Sequence, residues 1–154
     1  IDTDDITLSQ TLSSLGTTQL IKRTPNIHIF IINGIKVDIV NYNYPWIDAF
    51  VSEDQLRLAG KKDIAAMKLA AITGRGSRKD FIDLHFLLQE FNLREMLSFY
   101  SEKYIEGSTF LVLKSLTYFD DAETDPQPFM LKKADWKQIK RSIINSVDDF
   151  LNKG

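Results

Sequence analysis

At 154 residues, the chain is long enough for one domain that buries roughly two thirds of its unfolded surface, and its 44% hydrophobic and 26% charged residues are typical of a soluble globular protein. The absence of cysteine excludes disulfides, thiolate metal sites and cysteine nucleophiles, and no apolar run approaches the roughly 20 residues that span a membrane. Because the formal net charge is −2, any anion site should be local. The absence of cysteine is compatible with a reducing compartment, and a cytoplasmic location is expected.

The chain opens with a predicted short helix and an extended segment. Residues 6–15 carry apolar side chains at helical spacing, so one face should point to a core. These inward side chains are Ile6, Leu8, Leu12 and Leu15. Residues 18–23 then favour a strand that stops before Pro25.

Two β-rich runs, residues 27–32 and 35–41, flank Asn33-Gly34. Asn-Gly between such runs is the strongest short signal for an antiparallel hairpin. Asp38 lies in the second run and points away from its β-branched neighbours. A solvent-facing acid is the favoured interpretation, and an acid in a cleft is the alternative.

An aromatic loop, residues 42–46, follows the hairpin. Trp46 and Phe50 are expected to cap the edge of a core, although an adenine could also stack on such a surface. A short extended piece near residues 56–59 then leads into the helices. We place the domain boundary here, with residues 1–60 as an α/β part and residues 61–154 as a helical part.

Residues 63–88 carry the most informative charges of the chain. Residues 64–72 are apolar apart from Lys68, and a desolvated ammonium is unfavourable unless it is paired. Lys68 could instead reach out of the core to a surface acid. Asp63 is expected to be the N-cap or first-turn acid of this helix.

A basic loop joins this helix to a second one, in which Asp80 and Asp83 interrupt an apolar run. Residues three apart share a helix face, so both carboxylates can point to one cleft. The cations of the loop are Arg75, Arg78 and Lys79. Together with Lys68, this cleft suits a polyphosphate and its metal ion.

Part of the loop has a plain structural explanation. Gly74 is favoured as a helix C-cap, and Ser77 with Asp80 resembles a capping box in which Asp replaces Glu or Gln. Asp80 could therefore serve only as a cap. Asp83, one turn inside the helix, has less structural reason to be there.

The remaining chain is predicted to be helical. Asn92 and Glu95 mark one helix start, a second helix covers residues 108–118, and a long amphipathic helix covers residues 132–152. In the second of these, the core-facing residues should be Phe110, Leu111 and Leu113. The acidic run at residues 120–128 is expected to be solvated. These elements predict an α+β fold, with a small antiparallel sheet followed by a bundle of about five helices.

With these residues in view, the sequence resembles the nucleotidyl transferase AbiEii/AbiGii toxin family of the DNA polymerase β-like superfamily. The resemblance covers most of the chain. It rests on IKVDIVNY at residues 35–42, on LA at 58–59 followed by DIAAMKLAAI at 63–72, and on GRGS at 74–77 with KDFIDL at 79–84.

The resemblance implies a bacterial enzyme that transfers a nucleotide from a nucleoside triphosphate to an acceptor, with Mg²⁺ or Mn²⁺ as cofactor. In the site that it implies, Asp38 is a strand carboxylate of the metal cluster, Lys68 contacts phosphate, and Asp80 or Asp83 is the acid of the final motif. The loop cations Arg75, Arg78 and Lys79 assist with phosphate. The acceptor could be tRNA or another RNA, and a cognate antitoxin protein is an expected partner.

One departure from the family pattern concerns the start of the chain. The family's glycine-serine turn with Asp-x-Asp is not found, and Asp2-Thr3-Asp4 is interpreted as a linker. We therefore expect the chain to be N-terminally truncated and inactive alone. The alternative is a non-catalytic domain that keeps the fold to bind a nucleotide, an RNA or a protein. The upstream sequence would distinguish the two.

Overall fold

The computed structural model describes residues 5–152 and divides them into two compact units, one ending at Tyr44 and one beginning at Pro45. This division comes earlier in the chain than the boundary expected near residue 60. Each unit has a hydrophobic core of its own. Within residues 5–152, no helix is both long enough and apolar enough to cross a membrane.

The first unit consists of one helix and three strands. In chain order these are α1 (Asp5–Ser13), β1 (Thr18–Arg23), β2 (Ile27–Ile32) and β3 (Ile35–Val40). The strands form an antiparallel sheet in the order β1-β2-β3. The β2–β3 turn is the predicted Asn33-Gly34, with φ values of 50° and 82°. Positive φ at both positions is what a type I′ hairpin turn requires, so the predicted hairpin is confirmed.

The core of the first unit lies on one face of this sheet. Its buried residues are Leu12, Phe30 and Ile32. Because side chains alternate along a strand, Val37 packs against this core while Asp38 lies exposed on the opposite face. Leu15 was expected to point inward but is 61% exposed. The reason is that α1 ends at Ser13, so the helical period does not reach Leu15.

A small hairpin lies near the start of the second unit. Strands β4 (Val51–Glu53) and β5 (Leu56–Leu58) pair around Asp54, whose φ is 50°. The prediction contained only the second strand, although both strands are three exposed residues long. Trp46 and Phe50 lie 5.1 Å apart between ring centroids, but both are more than one third exposed, so they form a surface pair.

The rest of the second unit is a helical bundle. Its helices are α2 (Lys61–Gly74), α3 (Arg78–Leu87), α4 (Leu93–Lys103), α5 (Thr109–Leu116), α6 (Asp120–Glu123) and α7 (Trp136–Asn152). Helix α2 packs against α3, α4 and α5, and α7 contacts the same three helices. This central place agrees with the apolar character of α2, because a helix that is apolar on all sides is a buried one. The α+β class with a small antiparallel sheet is confirmed.

Helix α4 begins where the sequence predicts. The Asn92 side chain accepts a hydrogen bond from the Glu95 N–H at 3.0 Å, and the Glu95 carboxylate accepts one from the Asn92 N–H at 2.8 Å. These two bonds complete the capping box. The buried stripe of this helix runs through Met96 and Tyr100 to Lys103.

Helix α5 buries a different face from the one predicted. Phe110 is 72% exposed and Leu111 is 49% exposed, whereas Val112 and Leu116 are buried and Leu113 is partly buried against the core. Four consecutive apolar residues, 110–113, do not distinguish one helix face from another. The choice of face therefore came from the neighbouring helices.

The acidic run was expected to be a solvated loop, and this prediction is wrong in part. It contains helix α6, and its Ala122 is buried in the bundle core. The Glu123 carboxylate accepts hydrogen bonds from Trp136 Nε1 at 3.0 Å and from Lys140. The hydrogen bond from Lys140 is the main reason that the pKa of Glu123 is lowered. These contacts attach the run to α7.

Candidate functional site

The turn between α2 and α3 positions the charged residues. Helix α2 ends at Gly74, and the N–H groups of Arg75 and Gly76 donate to the Ala71 carbonyl at 2.9 and 3.3 Å. Gly76, with φ of 51°, occupies the left-handed region that L side chains rarely adopt. The predicted C-cap glycine was Gly74, which has no positive φ, so the special position lies two residues later.

Asp80 is the third residue of α3, and its side chain is fully buried. The carboxylate accepts hydrogen bonds from Arg75 Nε at 2.9 Å and Arg75 Nη2 at 3.2 Å, so the arginine binds both oxygens. It also accepts bonds from Lys68 Nζ at 3.2 Å and Ser77 Oγ at 2.5 Å. Four donors therefore compensate the burial of one negative charge. We call Lys68, Arg75, Ser77, Asp80 and Asp83 the Asp80 cluster.

These donors keep the Asp80 carboxyl ionised. Burial by itself raises its pKa, but the hydrogen bonds from Arg75 and Ser77 and the charge of Lys68 outweigh burial and lower the pKa to about 2. The same contact raises the pKa of Arg75. Asp80 and Arg75 therefore both stay charged at neutral pH.

The capping box predicted at Ser77 does not form. Ser77 is the N-cap residue of α3, but its side chain accepts no backbone hydrogen bond. Its hydroxyl donates to the Asp80 carboxylate instead. The serine is thus one more donor to a carboxylate that also accepts hydrogen bonds from Lys68 and Arg75.

Lys68 is both paired with a buried acid and in contact with a surface acid, so each of its two interpretations applies in part. Its side chain is 23% exposed, and Nζ contacts the buried Asp80 at 3.2 Å and Asp83 at 2.6 Å. The Asp83 side chain is 50% exposed, so the ammonium connects a buried carboxylate to one at the surface. Arg75, which also binds Asp80, is 61% exposed. The cluster therefore combines the buried Asp80 with partly exposed side chains that a solute can reach, and we call these side chains, Lys68, Arg75 and Asp83, its rim.

The other two loop cations differ from each other. Arg78 donates to the carbonyls of Ala122 at 3.0 Å and Glu123 at 2.8 Å, and its backbone N–H donates to Asp125 at 2.8 Å. These bonds hold the start of α3 against the chain around α6, a connection that the sequence did not indicate. Lys79, in contrast, has an exposed side chain.

A cavity of about 390 Å³ opens beside this turn. Basic and hydroxyl groups dominate its polar lining, with Asp125 as the acidic member. The lining residues are Arg75, Ser77, Arg78, Lys79, Asp125, Pro126 and Pro128. We call it the basic cavity. Its size lies within the range of small-molecule sites, and its cations suit a phosphate group.

The sequence analysis did not predict a second buried ion pair in the same unit, between Asp63 and Lys103. Asp63 is fully buried, and its carboxylate accepts bonds from Lys103 Nζ at 2.6 Å and from the N–H groups of Ile47 and Asp48 at 3.1 and 3.0 Å. Lys103 also donates to the Pro45 carbonyl at 2.6 Å. Asp63 was correctly placed in the first turn of α2, but its partner was not foreseen. A signal did exist, because Lys103 follows Met96 and Tyr100 on the buried stripe of α4.

Asp38 belongs to the first unit, where its carboxylate accepts a bond from Lys36 at 2.9 Å and its side chain is 46% exposed. Asp2 and Asp4 lie outside the described residues. Within residues 5–152, no three Asp, Glu, His or Cys side chains gather closely enough to hold a metal ion. The part of Asp38 in metal binding stays a prediction.

The α2–α3 turn of this α+β fold thus brings two partly exposed cations, Lys68 and Arg75, to one buried carboxylate. Residues 31–153 match the family model described as nucleotidyl transferase AbiEii toxin of type IV toxin–antitoxin systems, so the chain belongs to this family. The chain is also similar to the uncharacterized protein aq_aa25 of Aquifex aeolicus (strain VF5), with 31% identity over 156 residues, covering 96% of this chain and 73% of that protein. No solved structure matches the chain.

Proposed function

We propose that the chain takes part in metal-dependent transfer of a nucleotide from a nucleoside triphosphate to an acceptor, as the toxin of a type IV toxin–antitoxin pair. Its membership of the AbiEii nucleotidyl transferase family supports the reaction class and an antitoxin partner. The observation that carries the proposal for the site is Lys68, whose ammonium lies between buried Asp80 and half-exposed Asp83. The proposed acceptor is tRNA or another RNA, and the proposed location is the cytoplasm.

In this proposal each member of the site has a separate role. Lys68 contacts a phosphate oxygen, and Asp80 holds the lysine in place. Arg75 and Lys79 have exposed side chains and bind the remaining phosphate charge. Arg78, held by carbonyls of the chain around α6, adds to the positive field of the basic cavity.

The proposal extends to a metal ion that accompanies the triphosphate. Proteins commonly hold Mg²⁺ through one or two carboxylates together with substrate phosphates. Asp38, in the first unit, is proposed as a metal ligand, and Mn²⁺ could replace Mg²⁺. Asp83, whose side chain is half exposed, is proposed as the acidic group closest to the transferred phosphate.

The test is a calorimetric titration of the chain with each of the four nucleoside triphosphates and Mg²⁺. Lys68→Ala should weaken binding about tenfold or more, because a hydrogen bond to a charged group contributes roughly 1.5–3 kcal/mol. Lys114→Ala removes an exposed lysine from α5 and is the matched control, with unchanged affinity expected. Equal affinity in both variants would contradict the assignment of Lys68.

A second measurement addresses transfer itself. Incubation of the protein in its natural full length with α-labelled nucleoside triphosphate and a tRNA pool should place label on RNA, and the Lys68→Ala variant of that protein should not. Nucleotide binding by that protein without label transfer would favour the non-catalytic binding domain instead.

A further inference from the structure

A second cavity adjoins the basic cavity and has the opposite chemistry. It also measures about 390 Å³, and its wall is largely apolar. The apolar lining residues are Ile82, Phe86, Pro128, Phe129, Met130 and Leu131. We call it the apolar cavity. Lys79 and Pro128 line both cavities, so the two are neighbours along one surface.

Three charged residues also line the apolar cavity. Lys79 and Asp83 border it on α3, and Lys132 borders it from the segment before α7, with its ammonium 5.6 Å from the Phe86 ring centroid. Asp83 is also the 2.6 Å partner of Lys68. The Asp80 cluster and the apolar cavity therefore share one carboxylate.

The segment at residues 128–132 presents large apolar side chains to solvent. Phe129 is 93% exposed and Leu131 is 94% exposed, although both contribute to the cavity wall. Phe86, which also lines the cavity, is partly buried against the bundle core. One core-packed aromatic ring and one exposed ring thus border the same space.

We propose that the apolar cavity receives the nucleobase of the nucleoside triphosphate whose phosphates bind at the basic cavity. This inference rests on the proposed function and adds the place of the base. A nucleotide joins a flat, largely apolar ring system to an anionic chain, and the two adjoining cavities match these parts in the same order. Lys79, common to both cavities, lies where ribose and phosphate meet. Stacking on Phe129 would cover its exposed ring.

The test compares ligands with and without a base. Phe129→Ala, a change at an exposed position, should weaken binding of nucleoside triphosphates with Mg²⁺ by roughly 5- to 150-fold, the range expected for loss of one base–aromatic stacking contact. Inorganic tripolyphosphate carries no base, so its affinity should not change. Lys79→Ala should weaken the binding of both nucleoside triphosphate and tripolyphosphate. Phe110→Ala, which removes an exposed ring from α5, is the control that should change neither.

The outcomes separate this inference from the function on which it rests. If Phe129→Ala and Leu131→Ala both bind triphosphates like the unchanged chain, while Lys79→Ala and Lys68→Ala lose binding, the base lies elsewhere and the proposed function stands. If Phe129→Ala weakens tripolyphosphate as much as nucleotide, the ring does not recognise a base. If neither ligand binds the unchanged chain, both the inference and the proposed function fail.

Discussion

The two buried aspartates of the helical unit have the same local setting and different surroundings. Asp63 and Asp80 are each the third residue of a helix, each follows two basic residues, and each is fully buried. Asp63 is satisfied by a lysine that is itself fully buried, Lys103, and by backbone N–H groups. Asp80 is satisfied by Lys68 and Arg75, whose side chains are 23% and 61% exposed.

This difference separates a structural ion pair from a candidate binding site. The Lys103 ammonium is enclosed by Asp63, the Pro45 carbonyl and the Trp46 ring, so no solute can share its charge. The cations around Asp80 retain exposed surface and can contact a second anion. Burial of a carboxylate is therefore not informative alone, and the exposure of its cationic partners decides what it can do.

The largest expected effect is on the enclosed pair. Asp63→Asn removes the carboxylate charge that lies 2.6 Å from the buried Lys103 ammonium, which should lower the free energy of unfolding by about 3–5 kcal/mol. Urea denaturation measures this loss. Glu90→Gln, which breaks the exposed Lys61–Glu90 pair, is the control and should lose no more than about 1 kcal/mol. Equal losses in the two variants would mean that enclosure does not matter here.

Asp80→Asn should have a smaller effect with a distinct pH dependence. The folded-state pKa of about 2 lies below the ordinary value for aspartate, so the ionised carboxylate stabilises the fold by about 2 kcal/mol at neutral pH. This contribution is fully present above pH of about 4 and is lost as the pH falls towards about 2. The variant should lack that part of the acid transition. Parallel stability–pH curves for the variant and the unchanged chain would contradict the assignment.

The smallest effect is expected at the rim of the Asp80 cluster. Asp83→Asn removes a half-exposed partner of Lys68, whose ammonium keeps its bond to Asp80, so the loss of stability should stay under about 1 kcal/mol. Thermal unfolding at low and high salt measures it, and the difference from the unchanged chain should shrink as salt screens the pair. A loss as large as that of Asp80→Asn would place Asp83 in the fold rather than at a binding rim.

Local signals predicted much of the architecture. The bounds of β1 and β2, the Asn33-Gly34 turn and the capping box of α4 all agree with the structure. Each depends on residues a few positions apart. Strand β4 was not predicted, and the face of α5 predicted to be buried was wrong because its apolar residues are contiguous.

The sequence predicted which residues lie together in the candidate site, but not all of the contacts that hold them. Lys68, Arg75, Asp80 and Asp83 do lie together, as the common cleft required. The roles assigned to them in phosphate binding and catalysis stay predictions, as does the role of Asp38. The binding of Arg78 to the carbonyls around α6 had no sequence signal, because a backbone carbonyl has no residue-specific signature.

The sequence by itself determined the family, most of the helical and extended segments, and the charges of the α2–α3 turn, since these follow from motifs and from spacings within one or two turns of chain. Only the tertiary structure decided which of two similar aspartates is sealed and which reaches solvent. Asp63 and its partner Lys103 are 40 positions apart, and α2 meets α4 through packing of the whole bundle. The exposure of a cation depends on which helices cover it, and local spacing carries no information about that.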